Sequence, residues 1–144
     1  MKGGDRLSRV YTMVFDVIGD DRGSLIALEQ RGDIPFDIKR VYYMYGTTPG
    51  TKRGFHAHID LEQVAVCVSG HCVIDVEHQS GTESYRLDSP DKALYMGGLV
   101  WREIRDFSED CVLMVLASDC YSEADYIRDY DVFSDRLAKD FHGA

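Results

Sequence analysis

The chain is organised around one segment, Arg53-Gly-Phe-His-Ala-His-Ile-Asp-Leu-Glu-Gln63. It places His56 and His58 two residues apart, and in an extended strand two such residues project from the same face. Residues 61–68 are mostly apolar and are followed by Ser69-Gly70, which predicts a second strand and a turn. The segment therefore predicts two imidazoles that face one cavity inside a β-sheet.

Length and charge limit the classes of protein to which the chain can belong. Its 144 residues suit one domain spanning 1–144. The polar opening from Met1 to Val10 carries no strong pattern, and disorder is predicted for residues 1–12. A net charge of −9 without a Lys/Arg cluster argues against binding to nucleic acid or to an anionic membrane. The sequence shows neither an apolar run of membrane-spanning length nor a signal peptide, so a cytoplasmic location is expected.

The pattern of the chain predicts an all-β fold followed by a helix. Short β-type runs separated by turn residues recur about every ten residues, which is typical of a sandwich or jelly roll. They span residues 13–18, 24–30, 38–45, 53–58, 61–68, 72–78, 83–87, 93–96, 99–107 and 111–117. After Ser118 an apolar stripe with helical spacing follows, and Ser122 with Asp125 is predicted to form its capping box. The stripe consists of Tyr126, Tyr130, Phe133, Leu137 and Phe141.

The residues from Gly50 to Gly70 resemble the first motif of the cupin superfamily, whose members are barrels. In most cupins the His-x-His pair and a following Glu, here Glu62, bind a divalent metal together with a histidine from a second motif. Trp101 stands where that histidine is expected, and Arg102 follows it. Indole has no lone pair for a cation, and a guanidinium in the cavity opposes metal binding. We therefore predict no metal and no cofactor, and proton transfer on an anionic substrate.

A closer resemblance covers residues 14–135. The segments that carry it are 35–43 (Pro-Phe-Asp-Ile-Lys-Arg-Val-Tyr-Tyr), 53–58 with 61–63, 94–97 with 100–101, 111–119 and 125–130. They are similar to the dTDP-4-keto-6-deoxyglucose 3,4-ketoisomerase family. The resemblance implies a metal-free cupin (RmlC-like) jelly-roll barrel with a short C-terminal helix, and a homodimer that exchanges N-terminal strands. It also implies an isomerase that supplies dTDP-3-amino-3,6-dideoxyhexoses for lipopolysaccharide, other surface polysaccharides or glycosylated natural products.

The resemblance also assigns roles to residues. It implies that His56, His58 and Tyr42 are catalytic, and we favour His58 as the base that removes the C3 proton, with the reverse assignment of the two histidines left open. The candidates for substrate binding are Arg22, Arg40, Arg53, Gln63, Tyr95, Trp101 and Arg102. Arginine suits a diphosphate because its donors match phosphate oxygens.

Alternatives stand beside several of these assignments. Tyr95 and Trp101 are equally suited to an apolar core, Arg40 to an ion pair, and Arg53 has the opposite strand parity to the histidines unless Gly54 introduces a kink. At Arg22 and Arg102 the sequence differs from separate branches of the family, so the C4 configuration of the product, gluco or galacto, stays open.

Three other functions are compatible with these residues. A dTDP-sugar 3,5-epimerase also removes a proton next to the C4 carbonyl. A metal-dependent cupin enzyme such as a dioxygenase would use the histidines as ligands, and a non-catalytic sugar-binding cupin would use them only for affinity.

Overall fold

The strands of this protein form two sheets that face each other. A computed structural model describes residues 9–143, with side chains for residues 9–140. In chain order the elements are β1 (Val10–Val14), β2 (Ile18–Asp20), β3 (Gly23–Leu25), β4 (Arg40–Met44), β5 (Arg53–His58), β6 (Gln63–Ser69), β7 (Cys72–His78), β8 (Gly81–Leu87), β9 (Lys92–Met96), β10 (Trp101–Arg105), β11 (Val112–Ala117), a 3₁₀ turn (Glu123–Asp125), β12 (Tyr126–Ile127) and helix α1 (Tyr130–Gly143).

The connectivity is that of a jelly roll. The first sheet has the order β1-β9-β6-β11-β4 and the second has the order β12-β5-β10-β7-β8, while β2 and β3 form a separate hairpin. The strand pairs within both sheets are antiparallel. From β5 to β11 the chain passes repeatedly from one sheet to the other, so each sheet combines strands that are distant in sequence. The predicted all-β jelly roll with a C-terminal helix is confirmed.

Apolar side chains fill the space between the sheets and also cover their outer faces. The interior cluster includes Ile74, Leu94 and Leu113, which are fully buried. On the outer face of the first sheet, Ile34 and Phe36 pack from the loop after β3. On the outer face of the second sheet the main contact is with helix α1, whose apolar stripe is anchored by a fully buried phenylalanine. A side chain of β9 or β10 can therefore be buried without reaching the interior.

Strand bounds agree with the sequence prediction for residues 53–58 and 72–78 and differ near the N-terminus. Strand β1 begins at Val10, which is buried and pairs with Met96, so residues 10–12 belong to a sheet; residues 1–8 lie outside the described part of the chain. The predicted strand 24–30 is reduced to β3, because the chain after Leu25 leaves the hairpin to cover the first sheet.

The predicted helix start is wrong. Ser122 precedes only the 3₁₀ turn and makes no side-chain cap, and Tyr126 lies in β12. Helix α1 is capped by Asp129, whose carboxylate accepts hydrogen bonds from the backbone N–H groups of Asp131 and Val132. The stripe is otherwise correct at Phe133 and Leu137, which pack against the second sheet, and the Phe141 side chain lies outside the described residues. None of the described helices is long and apolar enough to cross a membrane.

Candidate active site

A bulge in β5 determines which side chains share the interior with His56. Arg102 on β10 pairs with His56, whereas the next residue of β10 pairs with Gly54, so Phe55 is an extra residue in β5. Gly54 and Phe55 both have positive φ, +93° and 59°. The bulge changes the alternation of the strand, and Arg53 lines the same cavity as His56. This resolves the parity of Arg53 that the sequence left open.

The first cavity has a volume of about 300 Å³ and an apolar floor. Its polar side chains come from several strands of both sheets and from the segment after β11. They are Arg40, Tyr42, Arg53, His56, Gln63, Arg102, Tyr126 and Arg128. Six residues that the sequence predicted to be catalytic or substrate-binding therefore line this cavity. They are Arg40, Tyr42, Arg53, His56, Gln63 and Arg102.

Three of these side chains form a continuous hydrogen-bonded chain. The Arg102 guanidinium donates to the Gln63 carbonyl oxygen, and the Gln63 amide N–H donates to the Tyr42 hydroxyl oxygen over 2.9 Å. The Tyr42 hydroxyl thereby keeps its own proton available for a further acceptor. Burial raises the pKa of Tyr42, although the Arg102 charge acts in the opposite direction. Tyr42 is therefore a neutral donor directed by a neighbouring positive charge.

Arg102 is a buried cation. Its side chain is 3% exposed and donates to Gln63 and to the carbonyl oxygen of Val100, and no carboxylate within residues 9–140 lies at ion-pair distance from it. Burial lowers the pKa of Arg102 to about 10, so it stays charged at neutral pH. A buried charge without a counterion is costly unless a ligand neutralises it. The cavity is therefore suited to a group that is anionic or becomes anionic.

His58 adjoins a second cavity of about 370 Å³, which shares Arg40 and Tyr126 with the first. Its ring is 1% exposed, and Nδ1 lies 3.1 Å from a carboxylate oxygen of Asp125. The same carboxylate accepts backbone N–H groups from Asp60 and Leu61. Within the described residues, Nε2 of His58 is buried without a hydrogen-bond partner.

The two imidazoles are neighbours with lowered basicity. Their ring centroids are 5.0 Å apart in an edge-to-face arrangement. Burial, followed by the Arg102 charge, lowers the pKa of His56 to about 4 and the pKa of His58 to about 2. Both rings are therefore neutral at physiological pH and can accept a proton.

Tyr126 lies against both imidazoles and lines both cavities. Its ring centroid is 5.0 Å from His56 and 4.4 Å from His58. The guanidinium of Arg128 lies over the Tyr126 ring, 4.1 Å from its centroid, and is paired with Glu123 at 2.8 Å. Asp125, Tyr126 and Arg128 were missed as site residues, because their spacing was interpreted as the start of a helix.

Three predicted substrate-binding residues lie elsewhere in this chain. Trp101 packs under helix α1 against Phe133, and its indole N–H donates to Glu103, so it faces away from the interior. Tyr95 stacks on Tyr11 and lies on the outer face of the first sheet. Both follow strand alternation, because their sequence neighbours point inward.

Arg22 is an exposed residue of the β2–β3 hairpin and is paired with Asp20 at 2.5 Å. It lines neither cavity of its own chain.

The cupin superfamily implies a metal, but the donor groups do not fit one. Glu62 accepts a hydrogen bond from the Tyr95 hydroxyl at 2.6 Å on the outer side, and the neutral amide of Gln63 faces the interior instead. Arg102 supplies a positive charge beside His56. In the described part of the chain, three or more potential ligand atoms lie within 4.8 Å of one another only at Cys67, Cys72 and Cys111, which belong to the packed interior. The absence of a metal stays a prediction.

The model of the FdtA family (WxcM-like, C-terminal) matches residues 8–138 of this chain. The chain belongs to the FdtA family. A curated relative, TDP-4-oxo-6-deoxy-alpha-D-glucose-3,4-oxoisomerase of Aneurinibacillus thermoaerophilus, is 53% identical over 125 residues, which cover 87% of this chain and 90% of that protein. The family resemblance found in the sequence is therefore confirmed.

Solved structures of sugar 3,4-ketoisomerases have the same fold as this chain. A histidine-to-asparagine variant of the 3,4-ketoisomerase QdtA from Thermoanaerobacterium thermosaccharolyticum, solved in complex with TDP-4-keto-6-deoxyglucose, is 44% identical with a TM-score of 0.89, covering 92% of this chain and 96% of that chain. WlaRB from Campylobacter jejuni, a TDP-quinovose 3,4-ketoisomerase, is 46% identical with a TM-score of 0.84, covering 88% and 98% of the two chains.

Proposed function

We propose that this protein is an isomerase that converts dTDP-4-keto-6-deoxy-D-glucose into a dTDP-3-keto-6-deoxyhexose. Relatives at 53% and 44% identity are named for this reaction type or were solved with this substrate. One observation carries the proposal: a neutral His56 lines the same cavity as a hydrogen-bonded chain that runs from Arg102 through Gln63 to Tyr42. It combines a base with stabilisers of negative charge, as enediolate chemistry requires.

The reaction moves two protons. The C4 carbonyl acidifies the C3 proton, and its removal gives an enediolate with negative charge on O4. C4 then receives a proton, O3 loses its proton as the C3 carbonyl forms, and O4 becomes a hydroxyl. The buried charge of Arg102 and the free Tyr42 hydroxyl proton stabilise the oxyanion, because both are held in place before the charge develops.

We assign the carbon base to His56 rather than to His58, the residue favoured from the sequence. His56 lines the cavity that holds Tyr42 and Arg102, whereas His58 lines the adjoining cavity, with its ring centroid 4.4 Å from that of Tyr126. His56 takes the proton from C3 and returns it to C4. His58 accepts the O3 proton and returns it to O4, so both histidines end the cycle neutral.

The remaining cations of the cavity bind the diphosphate in this proposal. Arg40 and Arg53 keep the role predicted from the sequence, and Arg128 joins them because it lines the same cavity. Gln63 positions Tyr42 and Arg102 for the sugar. Trp101 and Tyr95 have no direct role, since both lie on outer faces.

The finer aspects of the biology are also proposals. Residues 1–144 act as one domain in the cytoplasm, and the product enters dTDP-3-amino-3,6-dideoxyhexose biosynthesis for a surface polysaccharide such as lipopolysaccharide, or for a glycosylated natural product. The protein acts as a homodimer that exchanges N-terminal strands. Exposed apolar side chains around the β2–β3 hairpin support the dimer, among them Val14, Val17, Ile18 and Leu25.

Turnover of dTDP-4-keto-6-deoxyglucose in heavy water, followed by NMR, tests the function. We expect the carbonyl to move from C4 to C3, with deuterium at C4 only in turnovers in which the proton held by His56 exchanges with solvent before its return. His56→Asn should lower kcat by about 10²–10⁴-fold. His71→Asn is the matched control, because His71 lies outside both cavities. Deuterium at C3 and C5 with the ketone still at C4 would indicate an epimerase and overturn the proposal.

A further inference from the structure

We infer that Asp125 is a positioning residue that holds His58 in the tautomer with the proton on Nδ1 and balances the charge of His58 when Nε2 accepts a proton. The inference rests on the proposed ketoisomerase function for its kinetic consequence, but not for its structural part.

The hydrogen bond between the two side chains determines the tautomer. An ionised carboxylate can only accept hydrogen bonds, so Nδ1 of His58, 3.1 Å from Asp125, is the protonated nitrogen. Nε2 then carries the lone pair. This nitrogen is buried and has no partner within the described residues, which leaves it as the acceptor for a substrate hydroxyl.

The position of Asp125 is fixed independently of His58. One oxygen of its carboxylate accepts the backbone N–H of Asp60 at 2.9 Å, and the other accepts the N–H of Leu61 at 3.3 Å as well as the imidazole. In addition, the backbone N–H of Ile59 donates to the Asp125 carbonyl oxygen at 2.8 Å. The carboxylate is thus tied to the end of the strand that carries His58.

Charge balance gives Asp125 a second role. His58 is buried in surroundings that include the cations Arg40, Arg102 and Arg128, all of which oppose its protonation. When His58 receives the O3 proton, an imidazolium forms there. Asp125 is the carboxylate in hydrogen-bond contact with that ring, so it stabilises the intermediate through a charge-assisted bond. Loss of this carboxylate should therefore slow turnover more than binding.

The experiment combines NMR with kinetics. Nitrogen-15 shifts of the His58 ring in the free protein should show a protonated Nδ1 and an unprotonated Nε2, and Asp125→Ala should abolish that assignment. With dTDP-4-keto-6-deoxyglucose, Asp125→Ala should lower kcat by about 10³-fold with KM changed less than about threefold. Formate should restore part of kcat, because Asp125 lines the 370 Å³ cavity and its removal leaves room for a small carboxylate.

Two further variants keep the test decisive. Asp125→Asn retains the side-chain shape in case the alanine variant does not fold, and should also lower kcat. Asp88→Asn makes the same chemical change at an exposed turn and should leave kcat unchanged. A free protein with the proton on Nε2 of His58, or a folded Asp125→Ala variant with kcat within threefold of wild type, would overturn the inference. If wild-type protein shows no isomerisation at all, the proposed function fails while the tautomer measurement still tests Asp125.

Discussion

His56 and His58 occupy one strand, but their imidazoles have different surroundings. His56 faces the cavity that contains the buried Arg102 cation. His58 instead contacts the Asp125 carboxylate and packs against the Tyr126 ring. Sequence alternation was enough to place both rings on one side of β5. It could not rank them, because the difference arises from Asp125, which is 67 residues away from His58 in the chain.

The lowered pKa of His56 leads to a prediction about pH. A base must be unprotonated to act, so kcat/KM is retained at high pH and lost as pH falls through the pKa of the free protein. Burial lowers the pKa of His56 most, and the charges of Arg102 and Arg128 lower it further, whereas a hydrogen bond with the Gly54 backbone and the charge of Glu123 raise it. We expect the acidic limb of kcat/KM near pH 4, the value to which the pKa is lowered.

Stability must be followed in the same pH series. The unfolded chain has a histidine pKa near its ordinary value of 6.5, so it binds protons at a higher pH than the folded protein does. The folded state therefore loses stability as pH falls from about 6.5 toward 4, and urea midpoints should decrease over this window. An acidic limb of kcat/KM near 6.5 in fully folded protein would contradict the prediction.

At the scale of elements, the bulge in β5 is the feature that builds the cavity. A Cβ atom at Gly54 would lie 2.8 Å from the carbonyl oxygen of Arg102, and the residue has φ of +93°. Gly54→Ala should therefore lower the free energy of unfolding by at least about 1–2 kcal/mol, the approximate cost of a left-handed conformation. It should also lower kcat/KM, since relief of the clash moves β5 away from Arg102.

Gly81→Ala is the matched control for the bulge. Gly81 also has a positive φ, +112°, but no atom lies within 4 Å of its added Cβ. It should show the backbone cost without the loss of kcat/KM. Urea unfolding and steady-state kinetics of the two variants separate these effects, and equal kinetics would mean that the bulge does not position the site.

The elements could be predicted where one physical signal dominated. Strands 53–58 and 72–78 have apolar or alternating patterns between clear turns, and their bounds agree with the prediction. Tyr126 shows the opposite case, since its spacing from Tyr130 fits a helix although it pairs with His58 in a sheet. Its strand state depends on β5, a non-local partner that a local pattern does not contain. Similarly, the aromatic character of Trp101 and Tyr95 predicted that both side chains could pack in a core. It did not predict which face of its sheet each side chain would occupy.

At the scale of the whole molecule, Arg22 is a predicted site residue that lies in an exposed hairpin, outside both cavities of its own chain. The β2–β3 hairpin that carries it pairs with neither sheet in the described residues. Ile18 and Leu25 face each other in this hairpin and are 64% and 57% exposed. Apolar side chains grouped in this way favour burial against another copy of the chain.

The proposed strand exchange predicts that Arg22 acts in the partner's cavity. A mixture of His56→Asn and Arg22→Ala protomers, unfolded and refolded together, should regain up to roughly one quarter of wild-type activity, because each mixed dimer of a two-fold symmetric protein restores one complete site. Each variant alone should be weakly active.

Ile18→Asp should shift the mass by light scattering from twice 16.3 kDa to the single-chain value. Val132→Asp, an equivalent change at an exposed position of helix α1, should not. Dimers whose mixtures regain no activity would show that Arg22 does not act in the partner's cavity, and a wild-type monomer would exclude the exchange altogether.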